Sequence, residues 1–111
     1  MPDITMNTYQ GHAISTAIYP DNVGLFYTAL GLAGEAGEIC NKVKKVLRDD
    51  DGKLTTEKRF ALQDELGDVM WYVATLAYEL DIDLDTVCEN NIKKLASRKE
   101  RGTLKGSGDN R

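Results

Sequence analysis

The sequence predicts an all-α fold, a four-helix-bundle-like subunit, and three observations lead to this prediction. Apolar residues recur at spacings of three and four, most clearly between positions 62 and 80, which is the period of a helix buried on one side. Segments rich in Pro, Gly or Asp separate four such stretches. The sequence shows neither the period-two alternation of strands nor an internal repeat of solenoid length.

The first helix is expected over residues 5–18, with Asp3 or Thr5 as its N-cap. Its apolar stripe is thin, so this helix needs a partner surface to be stable. The stripe consists of Tyr9, Ala13, Ala17 and Ile18. Pro20 marks the end of the segment, because proline disfavours helical geometry in the residue before it.

The second helix is expected from residue 22 or 23 to about residue 48, and a solvated turn follows over 49–53. Its core side consists of Leu32, Ala36, Ile39, Val43 and Val46. Its interior also contains the glycines Gly24, Gly31, Gly34 and Gly37. Each glycine costs up to about 1 kcal/mol relative to alanine. Two explanations stay open, which are close packing against a neighbouring helix and space for a ligand beside the acidic residues.

The third helix carries the strongest periodic signal and is expected to be capped by Thr55 or Thr56. Its apolar positions alternate between spacings of four and three, as in a bundle seam with a coiled-coil-like period. These positions are Leu62, Leu66, Val69, Val73, Leu76 and Leu80. At about 100° per residue, Glu65 and Asp68 lie on one flank of the seam with Tyr72 over both. The same projection places Trp71 on the wrong side of the helix to join them.

Residues 81–85 are expected to end the third helix and to cap a fourth, which runs to about residue 99. The apolar stripe of this helix consists of Leu84, Cys88, Ile92 and Leu95. Its polar flank consists of Asn91, Lys94 and Arg98. We therefore predict one helical domain over residues 1–101, followed by a polar, glycine-rich tail over residues 102–111.

Composition excludes several classes of function. The chain has 111 residues, enough for one domain with a modest core that association with other copies would stabilise. The net charge is −4 with scattered acidic residues, so we expect no stable nucleic-acid binding, which needs clustered Lys and Arg. Cys40 and Cys88 are expected to be reduced thiols on apolar helix faces. The single histidine, His12, argues against a zinc site.

The sequence also gives an expectation for location. No apolar run approaches the roughly 18 residues that a membrane span needs. The first six residues lack the basic and apolar regions of a signal peptide. We therefore expect a cytoplasmic protein with no membrane partner.

Two carboxylate pairs are the most informative polar feature, Glu35 with Glu38 and Glu65 with Asp68. Residues at i and i+3 are neighbours on a helix surface, so each pair can point at one place. If the two helices pack side by side, four carboxylates converge and suit Mg²⁺ or Mn²⁺ bound to phosphate oxygens. The alternative is an ordinary solvated acidic face. Both pairs lie beside the apolar seams rather than opposite them, which favours the metal site.

Basic and aromatic side chains near these pairs suit a phosphate-containing ligand. The candidate phosphate contacts are Lys42, Lys45, Lys94 and Arg98. Tyr72 and Tyr19 are candidates for stacking on a base. Structural alternatives stay open for all of them: the lysines of the second helix could pair with Glu38, the fourth-helix residues could form a solvated face, and Tyr72 could lie at the edge of the core.

The motifs Glu-Ala-Gly-Glu at 35–38 and Asp-Glu-Leu-Gly-Asp-Val at 64–69 resemble those of the MazG-like nucleoside triphosphate pyrophosphohydrolases, an all-α group related to dimeric dUTPases. The resemblance runs from Tyr9 to the tail and includes the glycine-rich approach and Asn-x-x-Lys at 91–94. It implies an intimate homodimer or a dimer of dimers. It also implies Mg²⁺-dependent hydrolysis of a (deoxy)nucleoside triphosphate to the monophosphate and pyrophosphate, for nucleotide-pool control or house-cleaning.

The resemblance further implies roles for individual residues. Glu35, Glu38, Glu65 and Asp68 would hold Mg²⁺, and one of them would position or activate the attacking water. The residues near the nucleotide would be Tyr72, Lys45, Asn91, Lys94, Arg98, Gln10 and Tyr19. Lys105 and Arg111 in the tail would fold over phosphate. Relatives often carry Trp or His in the base pocket, whereas here His12 is offset from Gln10, so base preference stays open.

Two non-catalytic functions remain as alternatives. One is a helical dimerisation or regulatory module that kept the bundle and lost the chemistry. The other is a nucleotide sensor that binds without turnover. Loss of one carboxylate would favour the module, and all four are present in the sequence.

Overall fold

A computed structural model describes residues 3–111 of the chain. In this range the protein consists of four α-helices and one 3-10 turn, without strands, so the all-α prediction is confirmed. The elements are α1 (Met6–Ser15), the 3-10 turn (Asp21–Val23), α2 (Gly24–Asp50), α3 (Thr56–Glu79) and α4 (Leu84–Glu100). The first two residues of the predicted domain lie outside the described range.

Three helices begin at side-chain caps. The hydroxyl of Thr5 accepts a hydrogen bond from the backbone N–H of Thr8, and Thr55 accepts from Lys58 in the same way. The carboxylate of Asp83 caps α4 by accepting from the N–H of Thr86. These bonds satisfy amide groups that the first turn of a helix leaves without partners, which is why the sequence places these helix starts well.

The first helix is shorter than predicted, because it ends at Ser15 rather than at residue 18. The hydroxyl of Ser15 donates to the carbonyl of His12, and the hydroxyl of Thr16 donates to the carbonyl of Ala13. Side chains that bond nearby carbonyls in this way compete with the next helical turn. Ile18 is 97% exposed, so it does not belong to the buried stripe.

The third helix lies at the centre of the fold and packs against α2, α1 and α4. The buried cluster consists of Ala13, Ala74, Ala77 and Leu84. The three alanines are small, which lets α1 and α3 approach closely, and Leu84 adds the start of α4 to the cluster. Met6, Tyr9, Trp71 and Val73 pack around this cluster.

The predicted seam of α3 is only partly buried within one chain. Leu66 is 57% exposed and Leu80 is 50% exposed, whereas the fully buried positions of α3 are Ala74, Thr75 and Ala77. The reason is that α1 covers the alanine side of α3, and α4 contacts only a small part of the helix. The seam residues Val73, Leu76 and Leu80 instead line an apolar groove with Leu84.

The single chain is extended for its length. Its radius of gyration is 16.9 Å, whereas a compact domain of about 100 residues has a value near 13 Å. Other large apolar side chains are also exposed, including Phe26 at 67%, Leu30 at 73% and Leu47 at 70%.

Within residues 3–111, no helix is both long enough and apolar enough to cross a bilayer.

Candidate active site

Antiparallel packing of α2 on α3 forms a cluster of three carboxylates. One carboxylate oxygen each from Glu35, Glu65 and Asp68 lies within 4.8 Å of the others. Glu35 is on α2, and the other two are one helical turn apart on α3. The i, i+3 spacing read from the sequence therefore produces a real convergence between helices.

The electrostatics of this cluster are strained. Burial raises the pKa of the Glu35 carboxyl, and its contact with Glu65 and the charges of Asp68 and Glu38 raise it further. The Oε2 atom of Glu65 is buried and has no hydrogen-bond partner among the described residues. Like charges at this range repel one another, and a buried carboxylate oxygen without a partner is unfavourable.

Lys42 supplies one positive charge to the cluster. Its ammonium lies 3.1 Å from Oε1 of Glu65. Lys42 therefore forms an ion pair, with Glu65 rather than with Glu38, the partner named for it in the structural alternative. One ammonium does not balance three carboxylates. The oxygen-only donor set and the unpartnered Glu65 oxygen both fit a hard divalent cation such as Mg²⁺ or Mn²⁺.

Glu38 lies outside this cluster, although it was predicted with the other three. Its side chain is exposed, one turn along α2 from Glu35. Its charge still acts on Glu35, where it contributes to the raised pKa. The structure therefore brings three of the four predicted carboxylates together and leaves Glu38 facing solvent on the same flank.

A cavity of about 330 Å³ opens beside the carboxylates, lined by Thr16, Glu35, Asp68, Trp71 and Tyr72. The prediction that Trp71 lies on the wrong side of its helix is therefore wrong. Its indole N–H donates to the hydroxyl of Thr16 at 2.8 Å, which turns the ring toward the cavity. A helical projection of α3 does not predict this orientation, because the acceptor, Thr16, lies in the segment that follows α1.

Gly31 explains how Tyr72 reaches the same cavity. A Cβ atom at this position would lie 2.1 Å from the Tyr72 ring, so only glycine leaves room for it. Gly24 similarly leaves room for the carboxylate of Glu79. Gly34 and Gly37 instead face open space. The packing explanation therefore accounts for Gly24 and Gly31, and no contact among the described residues explains Gly34 or Gly37.

An aromatic group continues the wall of the cavity. Tyr19 stacks on Tyr27 with ring centroids 4.9 Å apart, and it meets the edge of Trp71 at 6.4 Å. The Tyr19 hydroxyl donates to Oε1 of Glu79 at 2.9 Å. Burial, together with this bond and the Glu79 charge, raises the pKa of Tyr19 to about 12. Tyr19 is thus fixed next to the cavity while its hydroxyl is engaged by Glu79.

The basic residues of α4 lie in different surroundings. Asn91 is exposed, whereas Lys94 and Arg98 contact Asp109 in the tail. The helix that carries them packs against α1 and α3. The guanidinium of Arg111 donates to backbone carbonyls within the tail and closes the tail on itself. That Lys105 and Arg111 fold over phosphate stays a prediction.

Comparison with known families supplies the decisive observation. A family model described as the MazG nucleotide pyrophosphohydrolase domain matches residues 27–103, which is more than half of the chain. The chain belongs to the MazG nucleotide pyrophosphohydrolase family. It is also 59% identical over 112 residues to Gene 37 protein of Mycobacterium phage L5, with 96% of this chain and 98% of that protein covered. No solved structure matches the chain.

The MazG match confirms the resemblance read from the motifs. It contains both carboxylate pairs and the polar flank of α4, and it begins after α1. Enzymes of the MazG family are metal-dependent, and the cluster of Glu35, Glu65 and Asp68 is a possible place for the metal. Family membership supports nucleotide pyrophosphohydrolase activity in general terms.

Gln10 lies before the matched MazG segment, and its side chain is buried among backbone groups of the fold. It is 7% exposed, and its amide nitrogen donates to the carbonyls of Ala74 and Ile82. Its amide oxygen accepts from the N–H of Leu84. These three bonds join α1 to α3, to the α3–α4 connection and to the first residue of α4, and they engage the amide nitrogen and the amide oxygen. Gln10 is therefore not part of the proposed site.

Lys45 lines a second cavity of this MazG domain, of about 260 Å³, together with Lys42 and Lys58. Lys58 also pairs with Asp50. Lys42 therefore links the carboxylate cluster to this basic cavity. Sequence reasoning did not single out Lys58, nor Thr16 and Tyr27 beside the first cavity. Their contacts join different elements across turns or across the fold, and no helical spacing indicates them.

Proposed function

We propose that this protein catalyses Mg²⁺-dependent hydrolysis of (deoxy)nucleoside triphosphates to the monophosphate and pyrophosphate, in nucleotide-pool control or house-cleaning. The observation that carries the proposal is a strained three-carboxylate cluster at the rim of a cavity walled by aromatic side chains. An acidic cluster next to an aromatic wall suits a ligand with a metal-bound phosphate chain at one end and a base at the other.

In this proposal Glu35, Glu65 and Asp68 hold Mg²⁺, and Mn²⁺ can substitute for it. Glu38 is the fourth, solvent-facing carboxylate, and its free oxygen accepts the proton of the attacking water. A cation held by these residues would polarise the phosphoryl group and make bound water more acidic. The residues of this chain supply the remaining functions, which are orientation of the water, removal of its proton and placement of the substrate.

The base of the nucleotide is proposed to stack on Tyr72 and Trp71, with Tyr19 behind them. The negatively charged phosphates are proposed to extend toward Lys42 and Lys45, which follow the cluster along α2. Asn91, Lys94 and Arg98 are kept as proposed contacts of the nucleotide or its phosphates.

We also propose that two copies of the chain associate as a homodimer, alone or within a homotetramer. The support is the half-exposed seam of α3 and the apolar groove beside it, which a single chain leaves uncovered. Exposed apolar surface of this extent is typical of interfaces. Leu80→Glu places a charge in the groove and should yield monomers in light scattering, whereas Ile18→Glu, at a fully exposed position, should not. Equal masses for both variants would contradict this assignment of the interface.

The activity test uses a panel of NTPs and dNTPs with Mg²⁺, with pyrophosphate, inorganic phosphate and the monophosphate quantified separately. Wild-type protein should release pyrophosphate and monophosphate in equal amounts. Asp68→Asn and Glu38→Gln should abolish release while the helical circular dichroism remains. Asp64→Asn is the matched control, because it removes an exposed α3 carboxylate outside the cluster and should keep activity.

Other outcomes would redirect the proposal. Full activity in both site variants would show that the carboxylates do not carry the reaction. Nucleotide binding without product would indicate the sensor. A stable helical dimer that neither binds nor hydrolyses nucleotides would indicate the dimerisation module.

A further inference from the structure

The tail of the chain folds back onto α4, and the carboxylate of Asp109 contacts the basic residues Lys94 and Arg98 of this helix. The Oδ1 atom of Asp109 lies 3.5 Å from the ammonium of Lys94 and 3.5 Å from Nη2 of Arg98. The same Nη2 donates to the backbone carbonyl of Asp109 at 2.9 Å. A negatively charged group of the chain therefore lies against two residues that suit a phosphate.

The tail is held in this position by its own hydrogen bonds. The guanidinium of Arg111 donates to the carbonyls of Thr103, Leu104 and Gly108. Arg101 donates to the backbone oxygen of Arg111 at 3.0 Å. These contacts close residues 103–111 into a loop on the surface of α4. The position of Asp109 is therefore set by a defined arrangement rather than by one ion pair.

Arg98 is unusual because it is buried without being fully paired. It is 4% exposed, and its Nε has no hydrogen-bond partner among the described residues. The hydroxyl of Thr103, at the start of the tail, is also buried without a partner. Buried donors normally have acceptors, and a guanidinium matches an anion with several oxygens. The aspartate side chain leaves this capacity partly unused.

We propose that Lys94, Arg98 and Thr103 form a phosphate-binding site, and that Asp109 occupies it as an internal anion that phosphate must displace. The tail is then an autoinhibitory strap. The identification of the phosphate as part of a nucleotide substrate rests on the function proposed above, whereas the site and its competitor do not. The chemical class of the ligand is a di- or triphosphate chain, since a phosphate group offers more acceptor oxygens than a carboxylate.

The strap is built so that it can be displaced. The side chain of Asp109 is 86% exposed, so an incoming anion can compete with it. The charge of Lys94, the hydrogen bond from Arg98 and the charge of that residue hold the pKa of Asp109 below its usual range. The carboxylate therefore keeps its charge near neutral pH, where phosphate competes with it. Gly106 and Gly108 have positive φ values, which glycine adopts without strain.

The test is a calorimetric titration of the full chain with inorganic pyrophosphate in the presence of EDTA. Without a divalent cation, the carboxylate cluster repels pyrophosphate. The cavity lined by Lys42, Lys45 and Lys58 is unchanged in every variant, so the difference in affinity between variants reports the site on α4. Asp109→Asn should bind between about threefold and about tenfold more tightly than wild type, the range expected for the loss of a partly exposed ionic competitor. Lys94→Gln in the Asp109→Asn background should remove this gain.

The matched control is Glu89→Gln, which neutralises an exposed carboxylate on the same helix, away from Lys94 and Arg98. It changes the net charge as Asp109→Asn does and should leave affinity near the wild-type value. Equal affinities for Asp109→Asn and wild type, or an equal gain in Glu89→Gln, would overturn the strap. Hydrogen exchange gives an independent readout, because pyrophosphate should increase exchange in residues 103–111 of wild type, and unchanged exchange would count against displacement.

Failure of the strap and failure of the proposed function give different results. If neither protein hydrolyses any nucleotide but Asp109→Asn binds pyrophosphate more tightly, the strap stands and the proposed activity falls. If both hydrolyse nucleotides with the same KM and bind pyrophosphate equally, the activity stands and the strap falls. If both proposals hold, Asp109→Asn lowers KM by about the same factor as it lowers the Kd for pyrophosphate, with kcat unchanged.

Discussion

The acidic cluster on α2 and α3 holds more negative charge than its neighbours balance, whereas the basic pair on α4 already has a counterion from the tail. Within residues 3–111, one ammonium pairs with the three carboxylates, that of Lys42 on Glu65, and the other oxygen of Glu65 has no partner. Lys94 and Arg98 instead contact the carboxylate of Asp109. The two regions therefore differ in what they need from outside the chain.

This difference indicates how each region would respond to ligands. Binding of a cation would reduce the repulsion among the three carboxylates, so the acidic cluster favours cation binding. Lys94 and Arg98 can bind a phosphate only if it displaces the carboxylate of Asp109, so this carboxylate would lower their affinity for phosphate. Substitutions, metal removal and salt should therefore affect the two regions differently.

The largest effect is expected from Glu65→Gln. It removes one cation ligand and should lower kcat/KM for nucleotide hydrolysis by at least about a hundredfold, since a weakened metal site loses the polarisation of the phosphoryl group and the activation of water. It should also raise the melting temperature of the metal-free protein, because it removes like-charge repulsion from the cluster. Thermal unfolding with EDTA measures this second effect.

Glu57→Gln is the control for this experiment, because Glu57 is an exposed acid in the first turn of the same helix. It should keep activity and should not stabilise the metal-free protein. A loss of activity in Glu65→Gln accompanied by lower metal-free stability would contradict the strained cluster.

The second prediction concerns metal and pH. Mg²⁺ or Mn²⁺ should raise the melting temperature at neutral pH, since binding at a hundredfold excess over Kd contributes roughly 2.7 kcal/mol. The pKa of Glu35 is raised from its ordinary value of 4.5, so protonation of Glu35 stabilises the folded protein below pH 4.5. This contribution is lost as pH rises through the pKa of the folded state. Protons therefore compete with the metal, and the metal-induced shift should shrink as pH falls toward that value.

Melting curves with and without Mg²⁺ across this pH range measure the second prediction. A shift that stays constant with pH would indicate that the cation binds away from Glu35. Removal of the metal by EDTA should also abolish pyrophosphate release, and full activity in EDTA would count against a metal site altogether.

The third prediction compares two glycines on the acidic side. Gly31→Ala should destabilise the protein by about 1–3 kcal/mol, because the new Cβ displaces the ring of Tyr72. Gly34→Ala meets open space and should stabilise the helix by up to about 1 kcal/mol. Chemical denaturation measures both changes. If Gly31→Ala lowers the free energy of unfolding and Gly34→Ala raises it, Gly31 is required for packing and Gly34 is not. Equal changes in the two variants would refute this distinction.

The smallest effect is expected from salt on the basic side. The tighter pyrophosphate binding of Asp109→Asn should shrink as ionic strength rises from about 0.1 M to about 1 M, since the screening length falls from roughly 10 Å to roughly 3 Å. Repeating the titration at both ionic strengths measures the change. A gain that is independent of salt would mean that Asp109 blocks the site by shape rather than by charge.

The separate features of the sequence differ in how well they predict the structure. The caps Thr55 and Asp83 predict helix starts correctly, because a cap is a bond between residues three apart. The orientation of Trp71 was predicted wrongly, because it depends on a hydrogen bond to Thr16, 55 positions away. The seam of α3 was read correctly as apolar but not as partly exposed, because burial depends on which partners are present.

By itself, the sequence determined the helices, the acidic spacing of Glu35 with Glu38 and Glu65 with Asp68, and the family. These are properties of short segments, in which helical geometry converts spacing into position. Only the tertiary structure decided which three carboxylates meet, which cavity Trp71 lines and which residues Asp109 contacts. Those outcomes depend on the register between helices and on the path of the tail, which arise from contacts between distant parts of the chain.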